Sequence, residues 1–166
     1  MTLVRELYCA CGQVKFEAKG EPIFRSVCYC DDCQAGGRQL EALPGAAPVL
    51  DPDGGSDYLT YRDDRFACVQ GESHLDEYRL REKSPTTRYV AGCCNSAMYL
   101  KFKYGHWVST FRSRYIGELP AVEMRTQVQF RDSDLDMPDD APTYKRFPVR
   151  LFRELIKARF MMIVGK

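Results

Sequence analysis

No sign of charge dominates this chain. Its 24 Lys and Arg stand against 23 Asp and Glu, a formal net charge of +1. That balance removes any global reason to expect a nucleic acid or an anionic membrane as partner. No apolar run is long enough to span a bilayer. Met1 to Tyr8 shows no apolar stretch of the kind a secretory signal carries. The expectation is a cytoplasmic protein with no membrane and no nucleic-acid partner, in a compartment that keeps thiols reduced. Histidine is scarce as well: His74 and His106 are the only two. Either is a possible fourth ligand to a metal, although a lone His is more often a surface or packed residue. No internal repeat shows beyond a recurring thiol turn.

Cysteine, by contrast, is plentiful. Seven of the eight cysteines fall in three short groups: Cys9 and Cys11, then Cys28, Cys30 and Cys33, then Cys93 and Cys94. Only Cys68 stands apart. In a reducing compartment clustered thiols point to metal or reactivity rather than to cross-links. The stretch Cys28-Tyr29-Cys30-Asp31-Asp32-Cys33 lets one turn aim three sulfurs at a common point. Such a point suits Zn²⁺, which takes thiolates at about 2.3 Å in tetrahedral array. Three ligands from one loop leave the fourth corner unfilled locally, and an open corner separates catalytic from structural zinc. Cys9-Ala10-Cys11-Gly12 is a second thiol turn, with Gly where a tight knuckle needs it.

The rest of the chain reads as one domain of 166 residues, rich in short strands. Strands are expected over Leu3–Tyr8, Val14–Ala18, Ile23–Cys28, Tyr58–Arg62, Phe66–Gln70, Leu75–Arg81, Thr87–Ala91, Met98–Lys103 and Trp107–Phe111. Val14, Phe16 and Ala18 alternate with Lys15, Glu17 and Lys19, a half-buried pattern. Met98, Leu100 and Phe102 alternate with Tyr99, Lys101 and Lys103 in the same way. A short helix is expected over Gln34–Leu43, weakened by Gly36 and Gly37. Pro148–Met162 reads as an amphipathic helix with Leu151, Phe152, Leu155, Ile156 and Phe160 on one stripe. The Asp-rich stretch 132–140 reads as a linker. The fold class is therefore mainly β, an antiparallel sheet or sandwich plus a C-terminal helix. Residues 1–120 form the zinc-binding β domain, and 121–166 an extension packed on it. The apolar stripe fits docking within the chain or in a homo-oligomer better than docking to a membrane surface.

At its thiol clusters the sequence resembles the glutathione-dependent formaldehyde-activating enzymes, the family that includes the centromere protein V relatives. The pattern there is C-x-C-G, C-x-C-x-x-C and a later C-x-x-C-G. Cys9/Cys11/Gly12 and Cys28/Cys30/Cys33 match the first two, and the likeness runs from about Leu7 to Phe102. The third motif departs: Ala91 stands where its first Cys belongs, and Cys93 sits beside Cys94. This looks like a separate branch of the family, and the departure bears on the glutathione chemistry more than on the fold. The resemblance implies an Mss4-like fold, twisted antiparallel sheets carrying zinc knuckles.

Two zinc sites follow. Cys9 and Cys11 with Cys93 and Cys94 form a structural four-sulfur site. Adjacent residues of a strand face opposite ways, so both of the last pair bind one metal only through a turn. Otherwise Cys94 is the ligand and Cys93 a free thiol, or the two form a vicinal disulfide. Cys28, Cys30 and Cys33 form the second, reactive site, which the resemblance implies is open. Zinc with three thiolates carries a net charge of −1 and suits a thiol substrate, held in its nucleophilic form. The activity implied is that of a carbon–sulfur lyase acting on a thiol–aldehyde adduct, with glutathione as co-substrate. Glutathione carries two carboxylates, and Arg38, five residues past the thiol loop, is the candidate to bind them. Gln34 stands where the family often has a basic residue. Asp31 and Asp32 are the nearest carboxylates for proton transfer, although both read first as solvated turn residues. Cys68 reads as a small buried apolar residue, and Tyr29, Tyr89 and Trp107 as core. The alternatives are a non-catalytic zinc-stabilised module that binds a protein or a small thiol, and a redox role for Cys93 and Cys94.

Overall fold

The computed structural model describes residues 3–165. Among them the chain is mainly β, with two sheets and a C-terminal helix. The smaller sheet holds β1 (Val4–Tyr8), β2 (Lys15–Lys19) and β5 (Phe66–Gln70), in the order β1-β2-β5. The larger is built on β3 (Phe24–Cys28), β4 (Ser56–Arg62), β6 (Leu75–Tyr78), β7 (Thr86–Ala91), β8 (Ser96–Phe102) and β9 (Trp107–Phe111). Two short strands extend its edge: β10 (Met124–Thr126) and β11 (Thr143–Tyr144). The order is β11-β10-β3-β4-β9-β8-β7-β6. The core strands pair antiparallel, but β10 runs parallel to both β3 and β11.

Strand β4 is buried along its whole length, and its two faces explain the layering. Leu59 and Tyr61 face the smaller sheet, where Leu7, Val14, Phe16 and Ala18 meet them. Tyr58 faces the other way, with Leu40, Val90 and Phe111, beneath helix α1 (Asp31–Glu41). The alternation of β2 appears as expected, with Val14, Phe16 and Ala18 buried and Lys19 exposed. That of β8 breaks. Val90 pairs with Ala97 and Tyr89 with Tyr99, so Met98 is an extra residue in the ladder. A bulge of this kind turns the side chain to the other face. Met98 accordingly packs between the sheets, while Leu100 packs on the α1 side.

Helix α1 begins earlier than the sequence suggests, at Asp31 rather than Gln34. Cys30 is its N-cap, and its sulfur accepts from the Cys33 N–H at 3.4 Å. This is the role a Ser or Asp oxygen usually fills. The two glycines inside the helix are there for space. A Cβ on Gly36 would lie 2.4 Å from the Arg88 guanidinium, and one on Gly37 would lie 2.5 Å from Leu50.

The last helix, α2 (Val149–Ile163), divides the expected stripe in two. Leu151 and Leu155 are buried with Phe24 and Met124, against Trp107. Phe152, Ile156 and Phe160 face outward. Five apolar residues at helical spacing cover more than one side of a helix, and a shallow contact buries only the central row. The Asp-rich stretch has fixed partners: Asp132 pairs with Arg38, and Asp140 with Arg125.

Candidate metal centres

The first thiol cluster sits where two turns meet. Cys9 and Cys11 lie on the turn between β1 and β2, and Gly12 takes φ +77°, the left-handed value the knuckle needs. The Cys9 sulfur accepts the Val14 N–H at 3.2 Å. Cys93 and Cys94 lie on the turn between β7 and β8, closed by Asn95 at φ +53°. Because the pair is in a turn, both sulfurs reach the same point. Sulfur–sulfur distances are 3.5 Å for Cys9–Cys11, 3.3 Å for Cys11–Cys93, 3.9 Å for Cys9–Cys93 and 4.0 Å for Cys93–Cys94. Four thiolates at about 2.3 Å from one tetrahedral ion would stand about 3.8 Å apart. The observed spacings bracket that figure, so the four residues fit a metal. They also leave Cys93 and Cys94 free thiols, too far apart for a bond.

Neighbouring groups tune this cluster. Ser96 Oγ lies 3.1 Å from the Cys94 sulfur and accepts the Ala10 N–H at 2.9 Å. Burial pushes the Cys94 thiol up, but hydrogen bonds from Ser96 and from the other thiols bring it down to about 6. Burial pushes the Cys9 and Cys93 thiols up.

Strand β5 braces the knuckle from outside. Gln70 Nε2 donates to the carbonyls of Gly12 and Gln13. Gly71 follows at φ +76°, and a Cβ there would meet the Gln13 carbonyl oxygen at 2.3 Å. Gly71→Ala therefore combines left-handed strain of about 1–2 kcal/mol with overpacking of about 1–3 kcal/mol. Chemical denaturation of the metal-loaded protein should show a loss of that combined order, with faster release of metal from this cluster.

The second cluster is Cys28, Cys30 and Cys33, all of whose sulfurs lie within 4.8 Å of one another. Cys28 ends β3, Cys30 caps α1, and Cys33 occupies its first turn. The Tyr58 hydroxyl reaches the Cys33 sulfur at 3.7 Å from the sheet below. Hydrogen bonds from the Cys28 and Cys33 thiols pull the Cys30 thiol down to about 3. The same sharing pushes Cys28 up to about 12, and it pushes the partly buried Cys33 thiol well up. Cys30 is thus the thiolate of the three at neutral pH.

Among the described residues no fourth thiol, imidazole or carboxylate joins this cluster. His106 Nε2 lies 2.8 Å from the Leu155 carbonyl, beside α2. His74 is exposed on a short turn before β6. Cys68 is only partly buried, in β5, with its sulfur 3.3 Å from the Gln70 carbonyl. Arg38 is exposed and pairs with Asp132 at 3.0 Å. Asp31 is exposed, and Asp32 Oδ1 accepts from Arg81. Tyr29 is fully buried, its hydroxyl on Asp53 Oδ2 at 2.6 Å, and Tyr89 stacks on Tyr99.

Both clusters fall within residues 1–114, which match a family model described as "Family of unknown function (DUF6151)". The chain belongs to the DUF6151 family. All eight cysteines lie inside the matched stretch, whereas β10, β11 and α2 lie beyond it. A crystal structure of a Rhodobacter sphaeroides protein is similar over 69% of this chain and 91% of that one, at 17% identity and a TM-score of 0.49. No curated protein matches the chain.

Sequence reasoning missed the residues that surround the sulfurs: Tyr58, Ser96, Arg88 and Arg114. None is near a cysteine motif of its own cluster in sequence except Ser96. Tyr58 sits opposite Ser26 in the β3–β4 ladder, and Arg88 belongs to β7. No helix among the described residues is long and apolar enough to cross a membrane.

Proposed function

We propose that this protein carries two zinc ions, one structural and one that accepts a thiol. The reaction proposed is that of the glutathione-dependent formaldehyde-activating enzymes, carbon–sulfur lyase chemistry on a thiol–aldehyde adduct. The observation that carries the reading is the incomplete second cluster. Cys28, Cys30 and Cys33 converge, and the residues that would close the site, Cys68, His74 and His106, are engaged or placed elsewhere. Zinc held by three thiolates would supply a place where an incoming sulfur stays deprotonated at neutral pH. The chain's own part is to hold the three sulfurs in place, through the α1 cap at Cys30 and the Tyr58 hydroxyl on Cys33. The C-x-C-G and C-x-C-x-x-C motifs support the family reading, and an Mss4-like architecture and a cytoplasmic, reducing environment are parts of the same proposal.

A second reading is a zinc-stabilised module that binds a small thiol or a protein without turning it over. One observation favours it: the carboxylates nearest in sequence, Asp31 and Asp32, are exposed, and no carboxylate or imidazole joins the three sulfurs among the described residues. Elemental analysis of the purified chain, with chelation followed in the presence and absence of glutathione, tests the primary reading. Two zinc ions per chain are expected, one of them released more slowly once glutathione is present. One zinc, indifferent to glutathione, would overturn the thiol-accepting site. Assay of the S-hydroxymethyl adduct then separates lyase from binding module.

A further inference from the structure

Four arginines are buried among the described residues: Arg62, Arg88, Arg114 and Arg125. A guanidinium taken out of water is costly unless a negative charge meets it. Arg62 has Asp64, and Arg125 has Asp140. Arg88 and Arg114 make no salt bridge among the described residues; Arg88 donates to the Asp32 carbonyl and Arg114 to Ser113 Oγ. Each of the two lies at a thiol cluster. Burial pulls the Arg114 guanidinium below its ordinary value, and the thiols of Cys94 and Cys9 oppose that shift. Arg88 donates from Nη2 to the Asp32 carbonyl at 2.7 Å, inside the C-x-C-x-x-C loop, and its guanidinium packs against Gly36 one turn later. Neither cation meets a carboxylate among the described residues, and the anions that metal-loaded clusters would bring to these same loops are thiolates.

The two centres then differ by one charge. Four thiolates, a divalent ion and Arg114 sum to −1. Three thiolates, a divalent ion and Arg88 sum to zero. The three-sulfur centre is short by one anion relative to its neighbour. It also has unused polar groups. Arg88 Nη1 and Ser56 Oγ are buried with no hydrogen-bond partner. A buried donor left without a partner is costly, and more so when it is charged. Ser56 pairs with Cys28 in the β3–β4 ladder and so shares its face, and Tyr58 reaches Cys33 two residues further along that strand.

We propose that Arg88 is the residue that selects for the negative charge of the thiolate ligand at the three-sulfur centre. This rests on the reading of Cys28, Cys30 and Cys33 as an open metal site. Its test uses the full chain loaded with Co²⁺, whose absorption changes when a fourth ligand joins the three-sulfur centre, read as a difference from the spectrum that the protein's own thiolates give. Two probes are titrated, 2-mercaptoethanol, which binds as an anion, and imidazole, which binds neutral. In Arg88→Met the affinity for 2-mercaptoethanol should fall at least about tenfold, as when one partner of a buried charge pair is removed. Affinity for imidazole should hold within about twofold, a selectivity that damage to the fold alone does not produce. Equal losses for both probes, or no loss for either, in a variant that keeps two metals overturn the role of Arg88. Should Arg88→Met fail to fold, Arg88→Lys decides. A kept preference for the thiol supports the assignment, and a lost one overturns it. Failure of the wild-type protein to bind 2-mercaptoethanol overturns the open site itself, and Arg88's role with it.

Discussion

Cys9→Ser should cost the chain one metal and most of its margin of stability, whereas Cys33→Ser should cost the other metal and much less. The difference follows from what each cluster joins. Cys9 and Cys11 belong to the hairpin of the smaller sheet, and Cys93 and Cys94 to a turn of the larger one. Bound metal would pin one sheet to the other across a span where few covalent constraints exist. Structural zinc in small domains contributes an apparent 10–16 kcal/mol or so at neutral pH, against a total stability of roughly 5–15 kcal/mol for a folded domain. Loss of even about 3 kcal/mol should lower the melting temperature of a chain this size by about 6–12 °C. The three-sulfur cluster, by contrast, joins elements that hold together without it. Strands β3 and β4 share a five-residue ladder, and α1 is seated by Leu40 and by its glycines against Arg88 and Leu50. Calorimetry of the two variants beside the wild type, with metal content measured on the same samples, checks the ranking. A larger shift for Cys33→Ser would show that the inter-sheet pin is the wrong account of the four-sulfur cluster.

Metal affinity at the three-sulfur centre should rise about 100-fold for each unit of pH between roughly 5 and 8, because binding there releases two protons. The sign follows from the thiols. Cys30, brought down to about 3 by its neighbours, carries no proton in that window. Cys28, pushed up to about 12, and Cys33, pushed higher than its ordinary value, carry theirs. Acid therefore competes with metal twice, and raising the pH removes that competition. The four-sulfur cluster should behave differently at the acid end. Cys94 titrates at about 6, so below that pH it takes up one more proton and the dependence of affinity on pH should steepen. Competition with a chelator of known affinity at a series of pH values gives both slopes, and Cys33→Ser isolates the four-sulfur site. A slope of three protons at the three-sulfur centre would mean that Cys30 is not the standing thiolate. A slope of one would mean that two thiolates pre-exist.

The thiol clusters show how much was legible before any coordinates. C-x-C-G and C-x-C-x-x-C are local motifs. A chain three or four residues long has few ways to turn, so spacing alone dictates that these sulfurs converge. The strands were legible for a similar reason: alternation has a period of two, and a half-buried sheet enforces it. Strand β2 shows the pattern plainly, with Val14, Phe16 and Ala18 inside. The start of α1 was not legible, because a cysteine sulfur took the capping role that sequence rules reserve for oxygen.

What the sequence by itself determined is which residues could hold a metal, since ligand chemistry belongs to the side chain and its nearest neighbours. What only the tertiary structure decided is that Cys93 converges with Cys94 on the first centre, and what charge surrounds the two centres. Cys93 and Cys94 join Cys9 and Cys11 across more than eighty residues because a turn, not a strand, carries the pair. Arg38, near in sequence, turned outward to Asp132, while Arg88, fifty residues on, came to lie under α1. Electrostatic energy falls with distance in space, not along the chain. The countercharges of the two centres therefore arise from how sheet and helix pack, and no motif announces them.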